Sequence, residues 1–262
     1  MARDLLLSLW LEFEQRLTLE LTSRTLASWV LCFAPILVFL EIPRYYLPLL
    51  GVLLARRLGW NAPDERARAG LLARRPLVSV VIAGLNEEET IGAAIDSLLQ
   101  QDWPNLEIIV VDDHSTDRMY EVAARYARRG QVRLIRNKGT RGRLGKPAGV
   151  NLGLRLARGE FLLVVDADTT YDRRLIQACL APFADPDVGV VAGNVHVRNR
   201  DANLLTRLQT VEYAVSIDLH KQWTDLCGCT LQGSGAITAF RTAPLQRDFA
   251  WMQELAEDTD IS

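Results

Sequence analysis

Two aspartates stand one residue apart directly after an apolar run, and their types and spacing suit the binding of a divalent cation. Asp166 and Asp168 follow the run Phe161–Val165. Side chains two residues apart on an extended segment point the same way, so both carboxylates can face one hard cation. A cation held by carboxylates suits a substrate that carries a diphosphate. This pair therefore indicates metal-assisted handling of a phosphorylated substrate.

Two other interpretations of the acid pair stay open at this point. The acids could cap the next predicted helix, at 171–183, because aspartate is a favoured cap. The sequence Asp-x-Asp-x-Thr, ending at Thr170, also resembles the nucleophile motif of haloacid-dehalogenase-type phosphatases. In that family the motif follows the first strand, whereas at least three strand–helix units precede it here. Its position therefore argues against a phosphatase.

The elements that must position these acids follow from residue 77 onward. Four apolar, β-branched runs alternate with helical patterns, at 78–82, 106–111, 132–135 and 161–165. This alternation predicts an α/β fold with a doubly wound, mostly parallel sheet. We expect Asn86 to cap the first helix, with Glu89 three residues on. The apolar segment 204–219 is predicted to be a helix that packs into the core.

Acidic or amide side chains recur where the predicted strands end. They are Asn86 and Glu87 after the first strand, Asp112 and Asp113 after the second, and Asp166 and Asp168 after the fourth. These ends share one edge of a parallel sheet, which predicts a single site. Lys146 precedes a further helix and can place a cation near phosphate. No Gly-x-Gly-x-x-Gly follows the first strand, so a dinucleotide-binding enzyme is not indicated.

Five ordered motifs across residues 76–262 resemble the family 2 glycosyltransferases of the GT-A fold. They are Asn86-Glu87, Asp112-Asp113-His-Ser-Thr-Asp117, Gly145-Lys146-Pro-Ala-Gly-Val-Asn151, Asp166-Ala-Asp168 and Glu257-Asp258. The resemblance implies an inverting transferase that uses a nucleotide-diphospho-sugar, most often a UDP-sugar, with Mg²⁺ or Mn²⁺.

The same resemblance implies roles for individual residues. Asp112 or Asp113 would contact uridine, and Asn86, Glu87 and Lys146 would belong to the nucleotide-sugar site. By this pattern, Asp166 would lie near the ribose and the metal, and Asp168 would bind the metal. Asp258, beside Glu257, would be the general base, because a carboxylate can take the proton of an attacking hydroxyl.

A second resemblance is to membrane-embedded processive synthases, such as the poly-N-acetylglucosamine and hyaluronan synthases. The matching segments are 193–200, 203–209, Glu212-Tyr213 and 232–241. In those enzymes the glycine-rich segment lies beside the donor sugar, which places Gly233 and Ser234 in the predicted site. It implies N-acetylglucosamine transfer to a growing polysaccharide; the alternative is a non-processive transferase with a lipid acceptor. Their Gln-x-x-Arg-Trp motif and later membrane helices are not in this sequence, so we expect an N-terminal fragment, whose own activity is in doubt.

The first quarter of the chain differs from the rest. The apolar stretch 26–55 is long enough to cross a bilayer core of about 30 Å, although Glu41 and Arg44 are costly there. An amphipathic leader, 5–20, precedes it. Six arginines at 56–75, against three before the stretch, place the remainder in the cytoplasm. We therefore expect a leader and membrane segment at 1–60, a linker at 61–76 and a catalytic domain at 77–262, at the inner membrane.

Bulk composition excludes two further classes of protein. The formal net charge of −2 across 262 residues gives no general attraction to nucleic acid, so no such partner is expected. Four scattered cysteines are too few for a disulfide framework. The hydrophobic content of 49% is ample for a large core.

Overall fold

The chain divides into two units, Met1–Leu54 and Ala55–Ser262. The computed structural model describes residues 33–60, 64–138, 145–228 and 236–248. The leader at 5–20 lies outside the described residues, and the predicted division at residues 60 and 76 stays a prediction.

A long apolar helix comes first among the described residues. It covers Phe33–Leu58, contains a π-helical stretch at Leu37–Glu41, and continues as α1, Ile42–Leu58. The helix has 26 residues, and its most apolar stretch of 18 residues has a mean hydropathy of 1.6, so it can cross a membrane by length and composition. Large apolar side chains are exposed along it, among them Phe39 (75%) and Leu47 (61%).

A six-stranded sheet forms the centre of the second unit. Its strands are β1 (Val78–Gly84), β2 (Leu106–Asp112), β3 (Arg133–Arg136), β4 (Phe161–Val165), β5 (Val190–Ala192) and β6 (Ile237–Arg241). They lie in the order β3-β2-β1-β4-β6-β5. The first four run parallel, and β6 is antiparallel to both of its neighbours. The predicted mostly parallel α/β sheet is confirmed.

Helices cover both faces of this sheet. The helices described in this unit are α2 (Glu65–Arg74), α3 (Ile91–Leu99), α4 (Met119–Arg128), α5 (Lys146–Leu156), α6 (Leu175–Leu180), α7 (Leu204–Glu212), α8 (Leu219–Leu226) and α9 (Thr242–Asp248). A 3₁₀ turn, Ala181–Ala184, follows α6, and a π-helix, Tyr213–Asp218, joins α7 to α8. The core on one face includes α3, α4 and α6, and the core on the other includes α5 and α9. Because both faces are covered, the central strands are nearly continuous apolar runs rather than alternating ones.

Helix α5 approaches the sheet more closely than a side chain would allow. A Cβ added at Gly153 would overlap the side chain of Val81 on β1 and lie 2.9 Å from its Cγ2. One turn earlier, a Cβ at Gly149 would lie 3.0 Å from that of Ala83. The glycines therefore let the helix backbone rest directly on β1, which brings Lys146 to the carboxyl edge of the sheet.

We predict that Gly153→Ala lowers the free energy of unfolding by about 1–3 kcal/mol, because the added methyl group overpacks this contact. The matched control is Gly70→Ala on α2, where nothing lies within 4 Å of an added Cβ. That substitution is expected to stabilise by about 0.5–1 kcal/mol, because it removes a glycine from a helix. Denaturant unfolding of the full chain in detergent measures both, and equal effects at the two positions would contradict the packing.

A buried carboxylate joins the strands at the opposite edge of the sheet. Glu107 on β2 accepts hydrogen bonds from the Ser79 hydroxyl and from Arg158 N (2.7 Å) and Nη2 (2.8 Å). Burial raises the pKa of Glu107, but the hydrogen bonds from Ser79 and Arg158 outweigh it, and the net pKa is lowered. This stabilisation is present above the ordinary carboxyl pKa and is lost as the pH falls through the lower, folded value. The network belongs to the scaffold rather than to the site.

Two local predictions were wrong. The segment predicted as a core helix exposes its leucines, with Leu204 and Leu205 each 73% exposed, and α7 buries Thr206 instead. The helix expected to start at Asn86 begins at Ile91, with Thr90 at its cap position. Asn86 has a φ of +59° and bonds to the neighbouring loop, which competes with capping.

Candidate active site

The carboxyl edge of the sheet encloses a cavity of about 340 Å³. Its lining consists of Ala83, Gly84, Leu85, Glu87, Asp113, Gly145, Lys146, Asp166, Ala167 and Asp168. These residues end β1, follow β1, β2 or β4, or stand at the start of α5, so the expected convergence of strand ends is present. A second cavity, of about 540 Å³ and lined in part by Arg75 and Trp103, contains none of the predicted site residues.

The acid pair after β4 faces this cavity from a turn that the core holds in place. Ala167, between the two acids, is 4% exposed and belongs to the core. Asp168 is exposed, and its Oδ1 accepts a hydrogen bond from Thr169 Oγ1 at 3.1 Å. Asp166 is partly buried, and its Oδ1 lies 3.0 Å from Lys146 Nζ. The apolar residue thus turns inward and leaves two carboxylates at the cavity.

Tyr171 supports this turn. No role was predicted for it from the sequence, and the only indication of one was its position three residues after Asp168. The ring is buried, and the hydroxyl donates a hydrogen bond to the main-chain oxygen of Asp166 at 2.5 Å. Burial, and then the charges of Asp166 and Asp168, raise the pKa of Tyr171 far above its usual value. The hydroxyl therefore stays protonated and holds the Asp166 backbone.

The donor chemistry of this pair fits magnesium or manganese. Among the described residues, no group of three or more histidine, cysteine or acidic side chains could hold a metal ion. Asp166 and Asp168 offer two carboxylates and open positions beyond them. Mg²⁺ is commonly held by one or two carboxylates, with waters and substrate phosphates completing its shell. A zinc site would instead need three or four protein ligands.

Lys146 brings positive charge to the same cavity. It is the first residue of α5, so its ammonium group stands beside the partial positive charge of a helix N-terminus. The ion pair with Asp166 joins α5 to the end of β4. A side-chain cation at the start of a helix, where the positive end of the helix dipole lies, suits a phosphate group.

Asp112 and Asp113 differ sharply in their surroundings. Asp112 is completely buried, and its Oδ2 accepts from Arg136 Nε at 2.9 Å. Asp113 lines the cavity and accepts hydrogen bonds from Asn137 Nδ2 (2.6 Å) and the main-chain N–H of Gly145. Asp113 is buried as well, at 4% exposed, but of these two acids at the end of the second strand it is the one that lines the cavity.

The side chain of Asn86 joins the loops after β1 and β2. Its Oδ1 accepts from the main-chain N–H groups of Thr116 (2.8 Å) and Asp117 (3.4 Å). In return, Asp117 Oδ2 accepts from Glu88 N at 2.9 Å. This exchange holds Glu87 and Asp113 at one cavity. The sequence carried the signal for Asp117, which ends the second motif, but its structural role was missed.

Four predicted site residues lie outside the described part of the chain. They are Gly233, Ser234, Glu257 and Asp258. Their assigned roles, near the donor sugar and as the general base, stay predictions.

A mostly parallel sheet, with an acid pair after its fourth strand and a lysine-led helix at the same edge, defines a glycosyltransferase of the GT-A type. The family model described as "Glycosyl transferase family 2" matches residues 79–251. The chain therefore belongs to glycosyltransferase family 2, which favours a transferase over the phosphatase interpretation of the acid pair.

Curated relatives of similar sequence are synthases of a polysaccharide. The chain is 29% identical over 187 residues to poly-beta-1,6-N-acetyl-D-glucosamine synthase from Staphylococcus epidermidis. It is 28% identical over the same length to the synthase of that name from Staphylococcus aureus strain COL. Each match covers 71% of this chain and 44% of the relative, so the match spans less than half of the relatives' length.

Solved structures support the fold. A mannosyltransferase from Pyrobaculum calidifontis, in complex with GDP-Man and Mn²⁺, superposes with a TM-score of 0.63 and 27% identity, covering 85% of this chain and 60% of that one. S. aureus TarS 1–349, in complex with UDP-GlcNAc, gives a TM-score of 0.50 and 25% identity over 70% of this chain and 51% of the other. The predicted GT-A fold is confirmed.

Proposed function

We propose that this protein transfers N-acetylglucosamine from UDP-N-acetylglucosamine to a growing polysaccharide, with inversion, at the cytoplasmic face of the cell membrane. The observation that carries the proposal is the single cavity lined by Asp113, Lys146, Asp166 and Asp168. The similarity to poly-N-acetylglucosamine synthases supports the choice of sugar and acceptor.

The donor would bind along the carboxyl edge of the sheet. Asp113 would accept a hydrogen bond from the base, and Lys146 would meet the diphosphate. Asp166 and Asp168 would hold Mg²⁺ or Mn²⁺, which when bound neutralises negative charge on the leaving diphosphate. Lys146 adds positive charge at the same place and stabilises that charge as it develops.

The acceptor hydroxyl would attack from the side opposite the diphosphate. Asp258 would take its proton, with Glu257 beside it, and Gly233 and Ser234 would lie along the donor sugar. Direct displacement inverts the anomeric centre and needs no covalent enzyme intermediate. A general base of this kind typically contributes about 10²–10⁴-fold to the rate.

Location at a membrane is part of the proposal. The helix Phe33–Leu58 has the length and composition to cross a bilayer, and Arg56 and Arg57 stand in its last turn. Basic residues favour the cytoplasmic side of a span. The catalytic domain, which follows these arginines, would then lie in the cytoplasm.

Calorimetry of the full chain in detergent tests the donor. UDP is expected to bind at least about 10-fold more tightly than GDP when Mn²⁺ is present, a difference of about 1.4 kcal/mol. EDTA is expected to remove this binding. Tighter binding of GDP would overturn the assigned donor, and binding that EDTA leaves unchanged would overturn the metal. Radiolabelled UDP-N-acetylglucosamine then reports whether a polymer or a lipid-linked product forms.

A further inference from the structure

The helix that follows the fifth strand displays its apolar side to the outside. Leu204, Leu208 and Val211 on α7 are 73%, 58% and 62% exposed, and Val215, in the π-helix that follows, is 37% exposed. Spacings of four, three and four residues put these side chains on one face of a helix. We call these four residues the apolar stripe.

The side of α7 opposite the apolar stripe is polar. Thr206 is the buried residue of this helix, and its hydroxyl donates to the main-chain oxygen of Arg200 at 3.1 Å. Thr210 Oγ1 donates to the main-chain oxygen of Thr206 at 2.8 Å. A surface helix normally buries its apolar face and exposes its polar face. The reversed orientation of α7 indicates that the apolar stripe meets a further apolar environment.

Arginines border the apolar stripe. Arg198, Arg200 and Arg207 are exposed, against two acids, Asp201 and Glu212, over residues 198–215. The side chains of Arg200 and Arg207 are 70% and 67% exposed, respectively. An apolar helix face edged by arginine suits the headgroup layer of a bilayer that contains anionic lipid.

One hydrogen bond ties this helical region to the first residues of the unit Ala55–Ser262. Arg56 Nη2 donates to Gln222 Oε1 on α8 at 2.7 Å, and both residues belong to that unit. The continuous run from α7 to α8 is therefore bonded to a residue that directly follows the apolar stretch in the sequence. A lipid surface is the apolar environment that this arrangement offers to the apolar stripe.

We propose that the apolar stripe lies in the interface of an anionic lipid bilayer, so that the catalytic domain contacts the membrane through its own surface in addition to the N-terminal helix. Lys221 on α8 donates to the main-chain oxygen of Gly193, directly after β5, at 2.7 Å. This bond ties the helical run to the carboxyl edge that carries the cavity. Contact with lipid at the stripe would hold that edge close to the membrane surface.

Nitroxide labels on the full chain in nanodiscs test this proposal. The label is placed at Leu208→Cys or, as the matched control, at the adjacent exposed Gln209→Cys. The background replaces Cys32, Cys227 and Cys229 with serine. Cys179 stays, because it is buried and burial raises the pKa of its thiol to about 12. Melting curves of both labelled proteins confirm that they fold.

In discs of phosphatidylglycerol and phosphatidylcholine, the label at Leu208 is expected to collide with oxygen at least about 3-fold more often than with a water-soluble nickel chelate, since oxygen partitions into lipid. At Gln209 the preference is expected to reverse. Equal nickel access at the two positions would overturn the proposal, as would shielding of Leu208 from both reagents, which would mean a protein cover. Because no nucleotide is present, neither result bears on the proposed transferase activity.

Discussion

Asp168→Asn is expected to weaken the binding of UDP in the presence of Mn²⁺ by about 100-fold or more. Mutation of a residue that only hydrogen-bonds to a metal ligand typically lowers metal affinity by about 10–100-fold, and Asp168 is proposed to be a ligand itself. Asp168 is exposed and lines the cavity together with Asp166. The amide keeps the size of the side chain but removes the charge that would attract the cation. Calorimetric titration of the full chain with UDP, with and without Mn²⁺, measures the change.

The control for this variant is Asp172→Asn, the same substitution four residues later. Asp172 is exposed and does not line the cavity, and its Oδ1 accepts from Arg174 N at 2.9 Å. An asparagine oxygen can make the same bond, so its UDP affinity should match the wild type. Binding in Asp168→Asn that still responds fully to Mn²⁺ would remove Asp168 from the metal site.

The second large effect separates the two acids after β2. Asp113→Asn is expected to weaken UDP binding by about 30-fold. This corresponds to the loss of one hydrogen bond to a charged group, which contributes about 2 kcal/mol. Asp112→Asn is expected to change UDP affinity by less than about 3-fold, and to lower the free energy of unfolding by about 2 kcal/mol, since it breaks the buried side of an ion pair with Arg136.

Both variants are measured by the same two methods, UDP calorimetry and denaturant unfolding. Both variants replace an aspartate by an asparagine, and the two positions differ only in their surroundings. Each variant is therefore the control for the other. The reverse pattern of UDP affinity, lost in Asp112→Asn and kept in Asp113→Asn, would refute the assignment of Asp113 to the donor.

Much of the sheet and its acidic edge could be predicted, because buried parallel strands are continuous apolar runs whose carboxyl ends must share one edge. Which of Asp112 and Asp113 lines the cavity could not be predicted. Neighbouring residues on a strand point to opposite faces, and which of them meets the cavity depends on the loop at Gly145. The role of Tyr171 likewise depends on a contact with the main chain, which no spacing reveals.

The error on α7 has a different physical cause. The sequence shows an apolar face in 204–219, and the usual assumption is that such a face is turned toward the core. Periodicity defines a face but not its direction. Here Thr206 is buried and bonds to Asn203 and Arg200 in the turn that precedes the helix, so the leucines lie on the opposite, exposed side.

The glycines of α5 affect how the site meets its ligand. At Gly149 and Gly153 the helix backbone packs directly against side chains of β1. Such close packing resists a shift of the helix along the strand. Lys146, at its start, and Asp113, bonded to the N–H of Gly145, are consequently held at one spacing by the sheet itself. When a donor that fits this spacing binds, the protein loses little conformational freedom. A donor with a shorter or longer bridge between base and sugar would bind more weakly, because the two residues cannot move to fit it.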